Sequence, residues 1–274
     1  MAEPSSLNSR TARRAALRRK RLRLGLGGLA LVLAVILAVV MFVGGGSGAP
    51  AKNAAAPIRT TTTTVAPTTT TSTPPPAITA MTKVPSLQVF EAPGATRVVT
   101  SLSAKTDYLQ PRTLLVVGEQ GDWLKVLLPI RPNGSTGWIR RSDVILSTTP
   151  YQIRVDLSEH RLVLLKDGKE VLSSSTVNGA PRTPTPPGTY YITDPVDLRA
   201  NPNGPYGAYA LGISGFSEVL FEFNGGPGQL AIHGTPTPQD MGSDISNGCI
   251  RVPNDVIVEI ARQVPLGTPV IITP

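Results

Sequence analysis

The sequence predicts a mainly β protein held on a membrane anchor, and three observations carry that prediction. An uncharged apolar run, Leu24–Val43, follows a strongly basic start. A Thr- and Pro-rich tract then separates this run from the rest of the chain. Beyond about Met81 the chain breaks into short segments rich in β-branched and aromatic residues, punctuated by Gly, Pro, Asn and Asp. A length of 274 residues fits about two folded domains.

The formal net charge of +8 invites a nucleic-acid reading, but its distribution excludes one. Arg10, Arg13, Arg14, Arg18, Arg19, Lys20, Arg21 and Arg23 face Glu3 alone in residues 1–23, and the remainder is nearly balanced. The basic tail abuts residues 24–43, an apolar span of about 20 residues, enough for one transmembrane helix. Positive residues stay on the cytoplasmic side, so the tail is expected inside and everything after Val43 outside the cell membrane. A cleaved signal peptide is the competing reading, with Ala49-Pro50-Ala51 as its A-x-A site and a secreted protein as its product. Secretory apolar cores usually run about 7–15 residues, shorter than this one, so an uncleaved single-pass anchor is the expectation.

Residues 44–80 read as a linker. GGGSGAPAKNAAAP is small and flexible, and RTTTTTVAPTTTTSTPPP is extended and unable to pack a core. Residues 81–147 read as a small all-β module. Its strands are Leu87–Phe90, Arg97–Thr100, Leu114–Val117, Trp123–Leu127 and Gly137–Ile139, with turns at Glu119–Asp122 and Asn133-Gly134. A GDWLKV strand and a closing GWIRRSDV resemble bacterial SH3-like domains, which implies a small β-barrel. Trp123 and Trp138 could stack on a sugar or peptide ligand, but core packing is the expected role, above all for Trp123. The module is expected to supply placement and no chemistry.

Residues 150–274 are long enough for a core of their own. Tyr151–Asp156 alternates as a strand, Ser158-Glu159-His160 turns, Arg161–Leu165 returns, and Lys166–Lys169 turns into Glu170-Val171-Leu172. His160 in that charged turn is expected to be solvated and inert. Between Pro195 and Gly215 lie many Gly, Pro and Asn, with Tyr206, Tyr209 and Phe216 nearby. That stretch is read as a long loop, a candidate lid over a peptide groove. Asn254 or Asp255 is expected to cap a short helix with Val256, Ile257, Ile260 and Val264 on one face. Val270-Ile271-Ile272 closes as a last strand.

The chemistry concentrates in Ala231–Val252. This stretch holds the only cysteine of the chain, Cys249, and one of its two histidines, His233. Leu230-Ala231-Ile232 reads as a strand delivering His233, and a polar loop leads to Ser246-Asn247-Gly248-Cys249-Ile250-Arg251. A thiol is a useful nucleophile as its thiolate, so it needs an imidazole or another cation nearby. Gly248 permits a tight, left-handed turn that aims successive N–H groups at one spot, the geometry of an oxyanion hole. Arg251 could bind a carboxylate or lower the thiol pKa. An exported chain with a single cysteine makes no internal disulfide. A structural zinc site needs about four ligands, mostly Cys and His, so no metal and no cofactor are expected.

HGT, a loop and SNGCIR resemble the signature of the L,D-transpeptidases, the YkuD-type catalytic domain of bacterial cell-wall enzymes. Asn247 departs from that pattern, standing where the family usually has a second histidine. The resemblance implies that Cys249, assisted by His233, attacks the carbonyl before the terminal D-alanine of a peptidoglycan stem peptide. It further implies that an acceptor amine resolves the thioester into a cross-link, and that carbapenem-type β-lactams acylate the thiol. Backbone N–H groups around Asn247, Gly248 and Cys249, with Ser246 beside them, would hold the oxyanion. The Gly234 carbonyl would orient the imidazole, and Arg251 would lie near the substrate. Two other readings stand beside this one. Water could resolve the same thioester, giving an L,D-carboxypeptidase, or the chain could be a wall-binding module with an inactive site.

Overall fold

A computed structural model of the chain describes residues 75–274. The expected basic tail, the apolar span 24–43 and most of the expected linker lie outside the described residues. Among the described residues no helix is long and apolar enough to cross a membrane.

The first half builds a seven-stranded antiparallel sheet. Its strands are β1 (Ala77–Thr82), β2 (Ser86–Phe90), β3 (Val98–Ser103), β4 (Thr113–Gln120), β5 (Trp123–Leu127), β6 (Thr136–Arg140) and β7 (Val144–Thr149). They lie in the order β3-β2-β6-β5-β4-β1-β7. The sheet starts at Ala77, before the boundary expected at Met81, because residues 77–82 pair along β7 as well as β4. Alternation explains the faces. On β2, Leu87 and Val89 are buried while Ser86 and Gln88 are exposed, and on β5 Leu124 and Val126 point inward. Trp123 meets buried Phe90 edge-on, ring centroids 5.2 Å apart, and the Arg140 guanidinium covers both rings. That is a packing role.

The second half builds an eight-stranded mixed sheet, with only Pro150 between it and the first. In chain order come β8 (Tyr151–Asp156), β9 (Arg161–Lys166), β10 (Lys169–Ser175), β11 (Asn178–Gly179), β12 (Gly188–Asp197), β13 (Tyr209–Phe216), β14 (Gln229–His233), β15 (Asp244–Ser246) and β16 (Ile250–Arg251). A helix, α1 (Asn254–Gln263), and β17 (Pro269–Thr273) finish the chain. The sheet order is β10-β9-β8-β17-β12-β13-β14-β16, and β11 pairs with β15 alone. Its core gathers Ile153, Leu164, Ile192, Leu211, Ile232, Ile250 and Val270, onto which α1 lays Ile257 and Ile260. Each such side chain contributes about 1.5–3 kcal/mol on full burial.

Three expectations change here. Tyr209 and Phe216 are the ends of strand β13, so the loop between β12 and β13 shrinks to residues 198–208 and only Tyr206 remains in it. Phe216 lies far from any lid role: the Arg131 guanidinium sits over its ring, and Asn133 bonds both its N–H and its carbonyl. Asn254 does not cap α1, whose N-cap is Pro253 with no side-chain hydrogen bond. His160 is not simply solvated. At φ 48° its Nε2 lies 3.0 Å from Asp244 Oδ1, which ties the β8–β9 turn to β15.

Candidate functional site

The site follows from strand register. Ile232 pairs with Ile250 and His233 with Arg251 across the parallel β14–β16 pair. Side chains alternate between faces, so Ile232 and Ile250 enter the core while His233 and Arg251 share the opposite face. The same register carries Cys249 beside Ala231, whose N–H reaches the thiol. On β13, Ala210 lies across from His233 and Gly212 across from Ala231. On β12, Val196 lies across from Ala210 and Asp194 across from Gly212. Two adjacent rows result on one face. One runs Asp194, Gly212, Ala231, Cys249, and the other runs Val196, Ala210, His233, Arg251. Diagonal neighbours of this kind lie roughly 7–8 Å apart along the backbone, within reach of long side chains.

The turn into Cys249 is held from inside. Gly248 has φ 105°, a backbone conformation that favours glycine, and a Cβ there would also sit tightly against Leu230 Cδ2 at 3.1 Å. Ser246 is buried; its hydroxyl donates to the Cys249 carbonyl at 2.6 Å and accepts from the Gly248 N–H at 3.1 Å. Thr183 and Thr185 brace the same turn by donating to the carbonyls of Ser246 and Gly248, each at 2.9 Å. This corrects the expected oxyanion donors. The Gly248 N–H is already committed to Ser246, because a turn this tight must satisfy its own buried amide. Asn247 points out and is exposed.

His233 is 3% exposed. Its Nδ1 lies 2.7 Å from the Gly234 carbonyl oxygen, which can only accept, so Nδ1 carries the proton and Nε2 is left as the base. The Tyr206 ring packs edge-on against the imidazole, centroids 5.1 Å apart. Burial pulls the His233 pKa down to about 4; the Gly234 carbonyl opposes this, the Arg251 cation adds to it, and the Tyr206 backbone opposes it again. Burial pushes the Cys249 thiol up, while the Ala231 N–H and Arg251 pull it back in part. At neutral pH the resting pair is therefore a thiol and a neutral imidazole. Arg251 is half-buried, and its Nε has no partner among the described residues.

Residues that the sequence did not assign to the site, or assigned to another role, surround it. Asn254 Oδ1 accepts from the Ala208 N–H at 2.8 Å and its Nδ2 donates to the Pro202 carbonyl at 3.2 Å, tethering loop 198–208. Both Gly207 and Gly234 press against that amide oxygen: a Cβ on either would meet it at 2.2 Å. Cys249 opens into a groove of about 290 Å³ walled by Tyr206, Val196, Leu198 and Leu230, with Asp194 and Gln229 also lining it. Tyr108, between β3 and β4 of the first sheet, lines the groove too. The one sequence signal for Asp194 was a carboxylate in the middle of an apolar strand.

Residues 150–272 match the model of the YkuD L,D-transpeptidase catalytic domain. A Bacillus licheniformis protein that bears the name L,D-transpeptidase YkuD is 37% identical over 127 residues, which are 46% of this chain and 68% of that one. A cysteine-to-serine mutant of the Enterococcus faecium L,D-transpeptidase is 27% identical, with a TM-score of 0.35, covering 47% of this chain and 56% of that structure. L,D-transpeptidase 3 of Mycobacterium tuberculosis, solved with a faropenem-derived adduct, is 18% identical with a TM-score of 0.37, covering 53% and 76%. Matched at that identity over more than two thirds of the Bacillus protein, this chain belongs to the L,D-transpeptidase family with the YkuD-type catalytic domain.

Proposed function

We propose that this chain cross-links peptidoglycan stem peptides through a thioester on Cys249. The sulfur attacks the carbonyl carbon before a terminal D-alanine, and its proton passes to His233 Nε2. The oxyanion is met by the N–H groups of Asn247 and Cys249. The C–N bond breaks, His233 returns the proton to the leaving D-alanine amine, and the thioester remains. An acceptor amine then attacks, giving its proton to His233; the new amide forms and the thiol leaves, reprotonated by the imidazole. Arg251 stabilises the thiolate and the anionic stages by its charge. The observation that carries this reading is one sheet face with His233 and Cys249 in adjacent rows at the end of an apolar groove. With the imidazole neutral at rest, general-base assistance during attack fits better than a preformed ion pair.

Hydrolysis of the same thioester is the competing outcome, since water is present at about 55 M. A bound acceptor can reach effective molarities of roughly 10⁵–10⁸ M, enough to outcompete it. Tyr206 and the tethered loop 198–208 are the candidates for shielding the thioester. Incubating the chain with tetrapeptide muropeptides should yield cross-linked dimers. Tripeptide as the sole product across a range of acceptor concentrations would decide for a carboxypeptidase. A carbapenem should add covalently to the parent and not to Cys249→Ser; an adduct that survives that substitution would move the nucleophile elsewhere.

The reading extends to the whole chain. The first sheet is proposed to be an SH3-like module, residues 24–43 a single-pass anchor, and the catalytic half extracytoplasmic. Protease added to spheroplasts should then digest the folded half and spare the basic tail. A mature form beginning near Lys52 would show cleavage instead.

A further inference from the structure

The row that ends at Cys249 begins at a carboxylate that the proposed chemistry does not use. Asp194 is 2% exposed, lines the 290 Å³ groove, and shares its face with Gly212, Ala231 and Cys249. Three strand spacings of about 4.8 Å separate β12 from β16, so Asp194 stands roughly 14 Å from the nucleophile along the backbone. The floor between them is low, because Gly212 and Ala231 occupy it. Added bulk at Gly212 would crowd this end of the groove, since a Cβ there meets Asp194 Cβ at 3.2 Å and Gln229 Nε2 at 3.3 Å.

The carboxylate is held but not neutralised. The Thr106 hydroxyl, from the turn between β3 and β4, donates to Oδ1, and Gln229 Nε2 approaches Oδ2 at 3.4 Å. Gln229 is itself fixed by the Thr193 hydroxyl at 3.0 Å and the Ile213 carbonyl at 2.9 Å. Among the described residues no lysine, arginine or histidine makes an ion pair with Asp194. Burying a carboxylate without a counter-charge is costly. If Asp194 served only to dock the two sheets through Thr106, a neutral acceptor would do the same at lower cost. A negative charge facing an apolar groove calls for a cation from the ligand.

We infer that Asp194, fixed by Thr106 and Gln229, is a specificity-determining subsite for an ammonium group on a side chain of the peptide bound at Cys249. This rests on the proposed function for the identity of the ligand. A peptide residue anchored at the thiol with a long, amine-ended side chain lying over Gly212 and Ala231 would direct that amine toward Asp194. Since Thr106 and Tyr108 come from the first sheet, the module between β1 and β7 supplies part of the specificity.

The test uses the full chain with Cys249→Ser, so that the ligand is bound and not consumed. Two tetrapeptides ending in D-alanine serve as probes. In one the third residue carries a free side-chain amine, and in the other that amine is acetylated. Calorimetry at neutral pH should find the free amine bound at least about 30-fold more tightly, the low end of the cost of unpairing a buried charge at an interface. Adding Asp194→Asn, which keeps an acceptor for Thr106, should bring the two within about threefold. Thr106→Val, which removes the donor and leaves the charge, should reduce the preference to an intermediate value and covers the case in which the Asp194 variant does not fold. Equal affinity of the two peptides for the Asp194 protein, or a preference that persists in folded Asp194→Asn, overturns the subsite. Because binding is read without chemistry, a failure of thioester formation in the parent would remove the proposed function and leave this result standing.

Discussion

His233 shows how one residue's environment sets both chemistry and stability. Its folded pKa, about 4, lies below the 6.5 of a free imidazole because burial penalises the cation. The unfolded chain therefore binds the extra proton first as pH falls. The stability tied to neutral His233 is fully present above pH 6.5 and is lost progressively down to about pH 4. Between pH 7 and pH 5 that loss amounts to about 2 kcal/mol. Denaturant unfolding at the two pH values should show the parent losing about that much more than His233→Gln. An identical pH dependence in the two proteins would mean that the imidazole is solvated. The same substitution should lower the rate of thioester formation by roughly 10²–10⁴, the usual scale for general acid–base catalysis.

Among the elements, the loop between β12 and β13 carries its own turn hydrogen bonds and is tethered to α1 by the Asn254 side chain. Asn254 holds Ala208 and Pro202, and Gly207 and Gly234 are glycines because its amide oxygen fills the space a Cβ would need. Asn254→Ala should leave α1 intact, since its side chain makes no cap, but release loop 198–208. Hydrogen exchange at the Ala208 amide should then accelerate by about tenfold or more, for a lost bond of about 1–1.5 kcal/mol plus the loosened loop. Unchanged protection at Ala208 would show that the loop is held by other contacts. If the loop shields the thioester, the same variant should shift muropeptide products from dimers toward tripeptide.

On the scale of the molecule, the two sheets share side chains across their boundary. Tyr191 of β12 is fully buried in the apolar cluster of the first sheet, Arg131 reaches the carbonyls of Ser217 and Leu220, and Thr106 reaches Asp194. Burial also drives the Tyr191 phenol well above its ordinary range. The catalytic half is thus expected to depend on its neighbour. A chain beginning at Pro150 should melt roughly 5–10 °C below the full chain, from the lost burial of Tyr191 and the contacts around it. Equal melting temperatures would show the halves to be independent.

The sequence by itself determined the β class, most strands, the family-specific stretch around His233 and Cys249 and the glycine before the thiol. Each of these is local: alternation marks a strand face, and Gly248 marks a turn that other residues strain to enter. It misjudged Tyr209 and Phe216, because β13 contains Gly212 and Gly215 and so reads as loop until its pairing with β12 and β14 is known. It also misread Asn254 and His160, whose partners lie far away in sequence. Only the tertiary structure decided that the Gly248 amide is already used, that Asp194 shares a row with Cys249, and that Tyr108 from the β3–β4 connection lines the groove. Those facts depend on which strands lie side by side, and local sequence pattern carries no record of strand order.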